Sequence, residues 1–311
     1  MTKFKKNTMR KIVISALSFL VLLTACEDKA PMEQNLYPET VYLVGSKSLI
    51  IDRDLALGYV QDTVYASVAI SGSLPTPYDV SVVIEEYPQA IDDYNTRELG
   101  ANDVLYRNLD TSIYNFPNDE TVVKKGEVYG TYPIYVRPET LHVDSLYMIA
   151  LRLKSTTAFE LAEQDTVVLM RFNRKNEYSG LYYMDGVIKN ATNPNDSVIY
   201  KMPRNLQAVD DGNTVRIYHQ KNEYTKGSTD YRPGYCFKIS VNEDNSLSMQ
   251  TWENFEITEG GGTYYPDMEV YKLWYNFTDD GTDYIVKGFL YLERKNDEEQ
   301  RLINDWMEEH R

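Results

Sequence analysis

Val60-Gln61-Asp62-Thr63-Val64-Tyr65-Ala66-Ser67-Val68-Ala69-Ile70-Ser71 alternates. Val64, Ala66, Val68 and Ile70 fall on one face, and Thr63, Tyr65, Ser67 and Ala69 on the other. A period of two is the mark of a half-buried β-strand. Residues 78–87 repeat the pattern with Val80, Val82 and Ile84, and Pro75-Thr76-Pro77 between the runs reads as a loop. Proline gives no N–H to a central ladder. Further strand-like runs lie at 41–44, 121–124, 129–137, 146–154 and 166–174. Residues 90–118 are less regular, with a short helix at Tyr94-Asn95-Thr96-Arg97-Glu98 and a turn at Asn115-Phe116-Pro117-Asn118. Short strands separated by turn signals predict an immunoglobulin-like β-sandwich over residues 39–174.

The polar run Arg174-Lys175-Asn176-Glu177 has no apolar period and marks a boundary. Beyond it, strand-like runs recur at 197–202, 205–209, 214–218, 234–241, 246–252, 271–277 and 283–294. Asp211-Gly212, Glu243-Asp244-Asn245 and Asp279-Asp280-Gly281 stand between them as hairpin signals. Residues 178–295 are therefore a second antiparallel β domain, either a sandwich or a small up-and-down barrel. From Asn296 the period becomes helical: Leu302, Ile303, Trp306 and Met307 share a face, and Asp297 is placed to cap. The fold class is all-β, with a short C-terminal helix at 296–311 that docks through Trp306 or frays.

Composition narrows the function. The 311 residues carry 32 basic and 47 acidic side chains, a formal net charge of −15. Such a surface repels nucleic acid and anionic headgroups. Tyrosine is the outlier, at 27 residues against 9 Phe and 3 Trp. Tyrosine suits pleated, half-buried surfaces and also offers rings for binding. His142, His219 and His310 are scattered without metal-ligand spacing, and no cofactor is expected.

The N-terminus reads as an export signal. Lys3, Lys5, Lys6, Arg10 and Lys11 precede about a dozen mostly apolar residues, too few to span a hydrocarbon core of roughly 30 Å. The run closes on Leu22-Leu23-Thr24-Ala25-Cys26, which resembles the lipobox of bacterial lipoproteins. The resemblance implies cleavage after residue 25, acylation of Cys26 and attachment to the membrane through lipid alone. Loss of the leader's five basic residues takes the net charge from −15 to −20 and leaves Cys236 the sole free thiol, read as a buried strand residue. Cys26-Glu27-Asp28-Lys29 resembles the acidic tag that sends Bacteroidetes lipoproteins to the outer face of the outer membrane, with a periplasm-facing lipoprotein as the alternative. Residues 26–38 form a tether.

Two stretches extend the resemblance. Lys125-Gly126-Glu127, Tyr132-Pro133-Ile134-Tyr135-Val136 and Tyr147-Met148-Ile149-Ala150-Leu151-Arg152-Leu153 resemble the N-terminal β-sandwich of Bacteroidetes glycan-utilisation lipoproteins, with Ala150 where that pattern has proline. Tyr178-Ser179-Gly180-Leu181-Tyr182-Tyr183 and Tyr271-Lys272-Leu273-Trp274-Tyr275-Asn276-Phe277 resemble their partner domain. The resemblance implies a surface lipoprotein that binds an oligosaccharide or polysaccharide beside an outer-membrane glycan importer of the starch-utilisation type. A structural or adhesion lipoprotein binding a protein through a sheet edge is the alternative.

Catalytic signatures are absent. There is no D-x-x-D-x-D-x-E strand, G-x-S-x-G, H-E-x-x-H or phosphate-binding loop. The second domain is also far short of the roughly 250 residues of an (β/α)8 barrel. Asp210-Asp211-Gly212-Asn213 and Asp279-Asp280-Gly281-Thr282-Asp283 offer oxygen ligands, but each reads as a hairpin turn. Sugar recognition needs an aromatic face for the C–H side of a ring, with polar neighbours for its hydroxyls. The densest such mixture is Gln250-Thr251-Trp252-Glu253-Asn254-Phe255 with Gly260-Gly261-Gly262-Thr263-Tyr264-Tyr265-Pro266-Asp267. Three glycines before two tyrosines suggest an exposed loop, making Tyr264 and Tyr265 the leading candidates, with Asp267 beside them. Trp252 is either a core or a rim residue, Tyr231 and Arg232 join the rim, and Trp274 is read as core.

Overall fold

In the computed structural model, which describes residues 35–48, 50–138, 141–193, 195–210, 212–219 and 230–311, the alternating run is a strand. Cys26, the leader and most of the tether lie outside the described residues. The first domain contains β1 (Thr40–Leu43), β2 (Ile50–Ala56), β3 (Asp62–Ile70), β4 (Val80–Glu86), β5 (Tyr106–Asn108) and β6 (Tyr114–Asn115). It continues with β7 (Glu120–Val123), β8 (Tyr129–Val136), β9 (Leu146–Thr156), β10 (Glu160–Leu161) and β11 (Val167–Lys175). Val64, Ala66 and Val68 of β3 are buried while Tyr65 is exposed, as the alternation requires.

These strands make two sheets, ordered β10-β1-β3-β8-β6 and β2-β11-β9-β4-β7, with β5 beside β9. Their facing rows, among them Val64, Val68 and Ile134 against Val82, Ile149 and Leu151, form one apolar core. Most pairs are antiparallel, but β2 runs parallel to β11, Ile50 opposite Leu169. Helix α1 spans Gln89–Glu98, longer than the five residues expected, and Pro88 occupies its N-cap position. It covers the outer face of the second sheet, with Ile91 against Met148, Ala150 and Leu169. That contact is long-range, which is why the local pattern of residues 90–118 understated it.

After a turn at 176–179 the second domain begins. It contains β12 (Gly180–Asn190), β13 (Ser197–Ala208), β14 (Thr214–Tyr218), α2 (Arg232–Tyr235), β15 (Cys236–Val241) and β16 (Leu247–Thr251). β17 (Ile257–Tyr265), β18 (Val270–Asp279), β19 (Thr282–Tyr291) and α3 (Asp297–Glu309) complete it. The eight strands form one antiparallel sheet ordered β16-β15-β14-β13-β12-β19-β18-β17. Its ends meet: Ser246 bridges Thr263, and the Tyr264 N–H donates to the Asn245 carbonyl at 2.8 Å. The sheet is a nearly closed barrel.

Five of the 27 tyrosines fill the interior of that barrel. Tyr182, Tyr200, Tyr264, Tyr271 and Tyr275 line it with Phe237, Phe255 and Phe277. Tyr182 meets Tyr271 edge to face, with ring centroids 5.5 Å apart at 76°. Space for these rings comes from the backbone. Gly186 pairs with Gly288 across β12 and β19, and a Cβ on Gly186 would overlap the Tyr200 ring. His219, directly after β14, is buried among them, its Nδ1 paired with the Tyr275 hydroxyl and its ring stacked 4.9 Å from Phe255. Burial, reinforced by Arg204, holds its pKa at about 3, so the imidazole is neutral. Cys236 is a buried strand residue, as its isolation in sequence suggested.

Helix α3 packs outside the barrel, setting Ile303, Met307 and Trp306 on Val270, Phe289 and Tyr291. Its N-cap is Asn296 rather than Asp297: the Asn296 side chain accepts the Glu298 N–H. Leu302, expected on the packed face, is 56% exposed.

Candidate functional site

The glycine-rich segment is not a loop. Residues 260–265 continue β17, and Gly262 sits at φ +153° where a Cβ would overlap the Lys272 carbonyl oxygen. At Gly260 and Gly262, β18, Met249 and Leu247 crowd the space a side chain would need, whereas a Cβ on Gly261 would make only ordinary contacts. Successive strand residues point to opposite faces. Tyr264 therefore enters the barrel, 6% exposed and 4.7 Å from the Tyr271 ring. Tyr265 turns outward beneath α3, edge-on to Trp306 at 4.6 Å. Asp267 is exposed in the turn after β17. The two tyrosines cannot share a platform, which corrects the expectation for this pair.

Trp252, Tyr231 and Arg232 do converge, at the junction of the two domains. The Arg216 guanidinium lies 4.9 Å over the Trp252 ring and donates to Asp144, in the connection between β8 and β9, and to Gln207. Arg232 donates to the same Asp144 oxygen at 2.8 Å and to Asp230 at 2.7 Å. Hydrogen bonding to Arg232 holds the Asp230 carboxyl below its usual range. Tyr231 is 40% exposed and meets Tyr235 edge-on at 5.9 Å. One ring face of Trp252 is thus taken by a cation, and the charges satisfy one another. This cluster clamps the domains together.

The open aromatic surface is elsewhere. Along β18, Tyr271, Leu273, Tyr275 and Phe277 point inward, whereas Lys272, Trp274 and Asn276 point out. Trp274 is 38% exposed, against the expectation that it is core. It pairs with Gly261 of β17 on one side and Lys287 of β19 on the other. A Cβ on Gly261 would stand 3.6 Å from the indole Nε1 and 3.8 Å from Cε2, so the ring sits beside the bare backbone of its neighbour. Around it the outer face presents Glu259, Thr263, Lys272, Asn276 and Lys287, with Ser248 and Gln250 beyond the seam. Two of these polar neighbours, Gln250 and Thr263, belong to the segments singled out in sequence as a sugar site; the ring does not. The signal was available in the polar residues two before and two after Trp274, which mark its side of the strand as outward.

Chemically, this face offers a flat π-surface among hydroxyls, amides, ammonium groups and a carboxylate. Among the described residues no group of three His, Cys, Asp or Glu side chains is placed to hold a metal ion.

Comparison with known proteins agrees with the two-part build. A family model described as an N-terminal domain matches residues 37–160, and one described as C-terminal matches residues 166–291. No curated protein matches the chain. Among solved structures, a protein of unknown function from Bacteroides ovatus aligns with a TM-score of 0.58 at 15% identity, covering 81% of this chain and 94% of its own. A multidomain protein that includes DUF1735, also from Bacteroides ovatus, aligns at 0.56 and 16% identity, covering 78% and 90%. An auxiliary nutrient binding protein from Bacteroides thetaiotaomicron aligns at 0.55 and 14% identity, covering 80% and 92%. The likeness establishes a shared fold across both domains.

Proposed function

We propose that this protein binds glycan without catalysis, on the outer barrel face centred on Trp274. The observation that carries the reading is the outward-pointing, 38% exposed indole, set beside Gly261, which has no side chain to cover it. A pyranose can stack its C–H face there while the surrounding Thr263, Asn276, Glu259 and lysines take its hydroxyls. One ring gives weak binding, suited to holding a polymer at many points and releasing it. The acylation reading of Cys26 extends the proposal: the protein is anchored by lipid to the outer membrane, at the cell surface, and hands polysaccharide to an importer complex. The nutrient-binding description of one structural relative is in keeping with this role. Strand addition to a protein partner is less favoured in the barrel, because its two edge strands face each other.

Affinity electrophoresis of the chain without its leader, across neutral and charged plant, host and fungal polysaccharides, tests the proposal. Retardation by one glycan class, lost in Trp274→Ala and kept in Tyr265→Ala, supports it. Retardation that survives Trp274→Ala removes the assigned face, and no retardation by any glycan removes the function.

A further inference from the structure

Beside the clamp, the two domains enclose a cleft of about 230 Å³. Tyr147, Asn173, Arg174 and Lys175 of the sandwich face Asn205 and Gln207 of the barrel across it. The cations at the junction differ in how they are satisfied. Arg216 and Arg232 share Asp144, Arg232 also holds Asp230, and Lys175 lies 4.0 Å from Asp54. Arg174 has no carboxylate within salt-bridge distance among the described residues. Its Nη2 donates to the Val209 carbonyl at 2.8 Å, and its Nε is buried with no hydrogen-bond partner. Asp210 and Asp144 act on this partly buried guanidinium only from beyond salt-bridge distance, so its planar donors are left to match a carboxylate. Burial accordingly pushes its pKa down. Such a cation is unexpected on a protein with a net charge of −15. The remaining wall mixes amides with the rings of Tyr147 and Phe172, and the space exceeds that of a bare anion.

We propose that this cleft is a binding site for a sugar acid of the hexuronate type, its carboxylate meeting Arg174 and its hydroxyls meeting the amide-bearing wall. The site is separate from the Trp274 face and does not depend on it.

Isothermal titration of the leaderless chain with glucuronate and galacturonate, alongside glucose, galactose and inorganic sulfate, tests this. The expected result is uronate binding with silent neutral sugars, weakened about tenfold or more in Arg174→Gln and unchanged in Trp274→Ala. Near-UV circular dichroism checks that Arg174→Gln folds; if it does not, Lys175→Gln on the same wall carries the test, with weakened uronate binding expected. Absence of uronate binding, equal binding of neutral sugars, or uronate affinity unmoved by the folded variant overturns the proposal. Sulfate binding as tightly as uronate reduces the cleft to a general anion hole and overturns it as well.

Discussion

Asp144 of the sandwich accepts a hydrogen bond from Arg216 of the barrel, whose side chain is only 2% exposed. Buried ion pairs add little when whole and cost heavily when half is removed. Asp144→Ala leaves Arg216 and Arg232 facing each other without their shared carboxylate. The variant is expected to lose roughly 3–5 kcal/mol in urea unfolding. It should also become cleavable at residues 176–179 by limited proteolysis. Wild-type resistance to cleavage in the variant would mean that the clamp is dispensable.

Trp274 already has more than a third of its surface in water, so its removal should spare the fold. Trp274→Ala is expected to change stability by less than about 1 kcal/mol while weakening glycan binding about tenfold. Gly261→Val makes a complementary test, since a branched side chain would crowd the indole beside it. Retardation in affinity gels should fall in that variant with the melting temperature nearly unchanged.

Tyr264 and Tyr265 should behave as opposites of a binding pair. Tyr264→Ala opens a void in the barrel core and is expected to cost about 3–5 kcal/mol, as for other buried aromatics. Tyr265→Ala removes the edge contact under α3 and should cost less, releasing the helix end first. Hydrogen exchange across residues 297–309 reads the second effect directly.

His219 predicts an acid-side weakness. Its native pKa, about 3, lies below the ordinary value of 6.5. The unfolded chain therefore takes up a proton that the native barrel refuses, and stability falls as pH drops from about 6.5 toward 3. The contribution is on the order of a few kcal/mol. His219→Phe should flatten the fall in urea midpoint between pH 7 and pH 5; an unchanged slope would show that the imidazole is not the group responsible.

Local pattern carried much of this architecture. Alternation at 60–71 gave β3 its faces, and the change of period at Asn296 gave α3 its place. What failed locally was decided elsewhere in the chain. Gly260-Gly261-Gly262 reads as a breaker, yet all three lie in a strand, and at Gly260 and Gly262 the neighbours crowd the space of a Cβ. Closure of the second sheet depends on Ser246 reaching Thr263, a register that no single strand encodes. The clamp joins Asp144 to Arg216, and the cleft joins Arg174 to Asn205, across a boundary that looked in sequence like a simple polar linker. Trp252, Tyr231 and Arg232 were legible as a group, but their partners were not.

The parallel pairing of β2 with β11 sets a timetable for assembly. Ile50 finds its neighbour only at Leu169. A nascent chain that emerges from its N-terminus must therefore carry β2 unpaired until nearly the whole sandwich has been made. Long-range pairings of this kind close slowly, and an unpaired strand is open to wrong partners meanwhile. Because only the turn at 176–179 separates β11 from the barrel, the completion of the first domain and the start of the second follow one another closely in synthesis. A stall or truncation before residue 167 would leave an exposed strand edge in place of a shorter but sound protein.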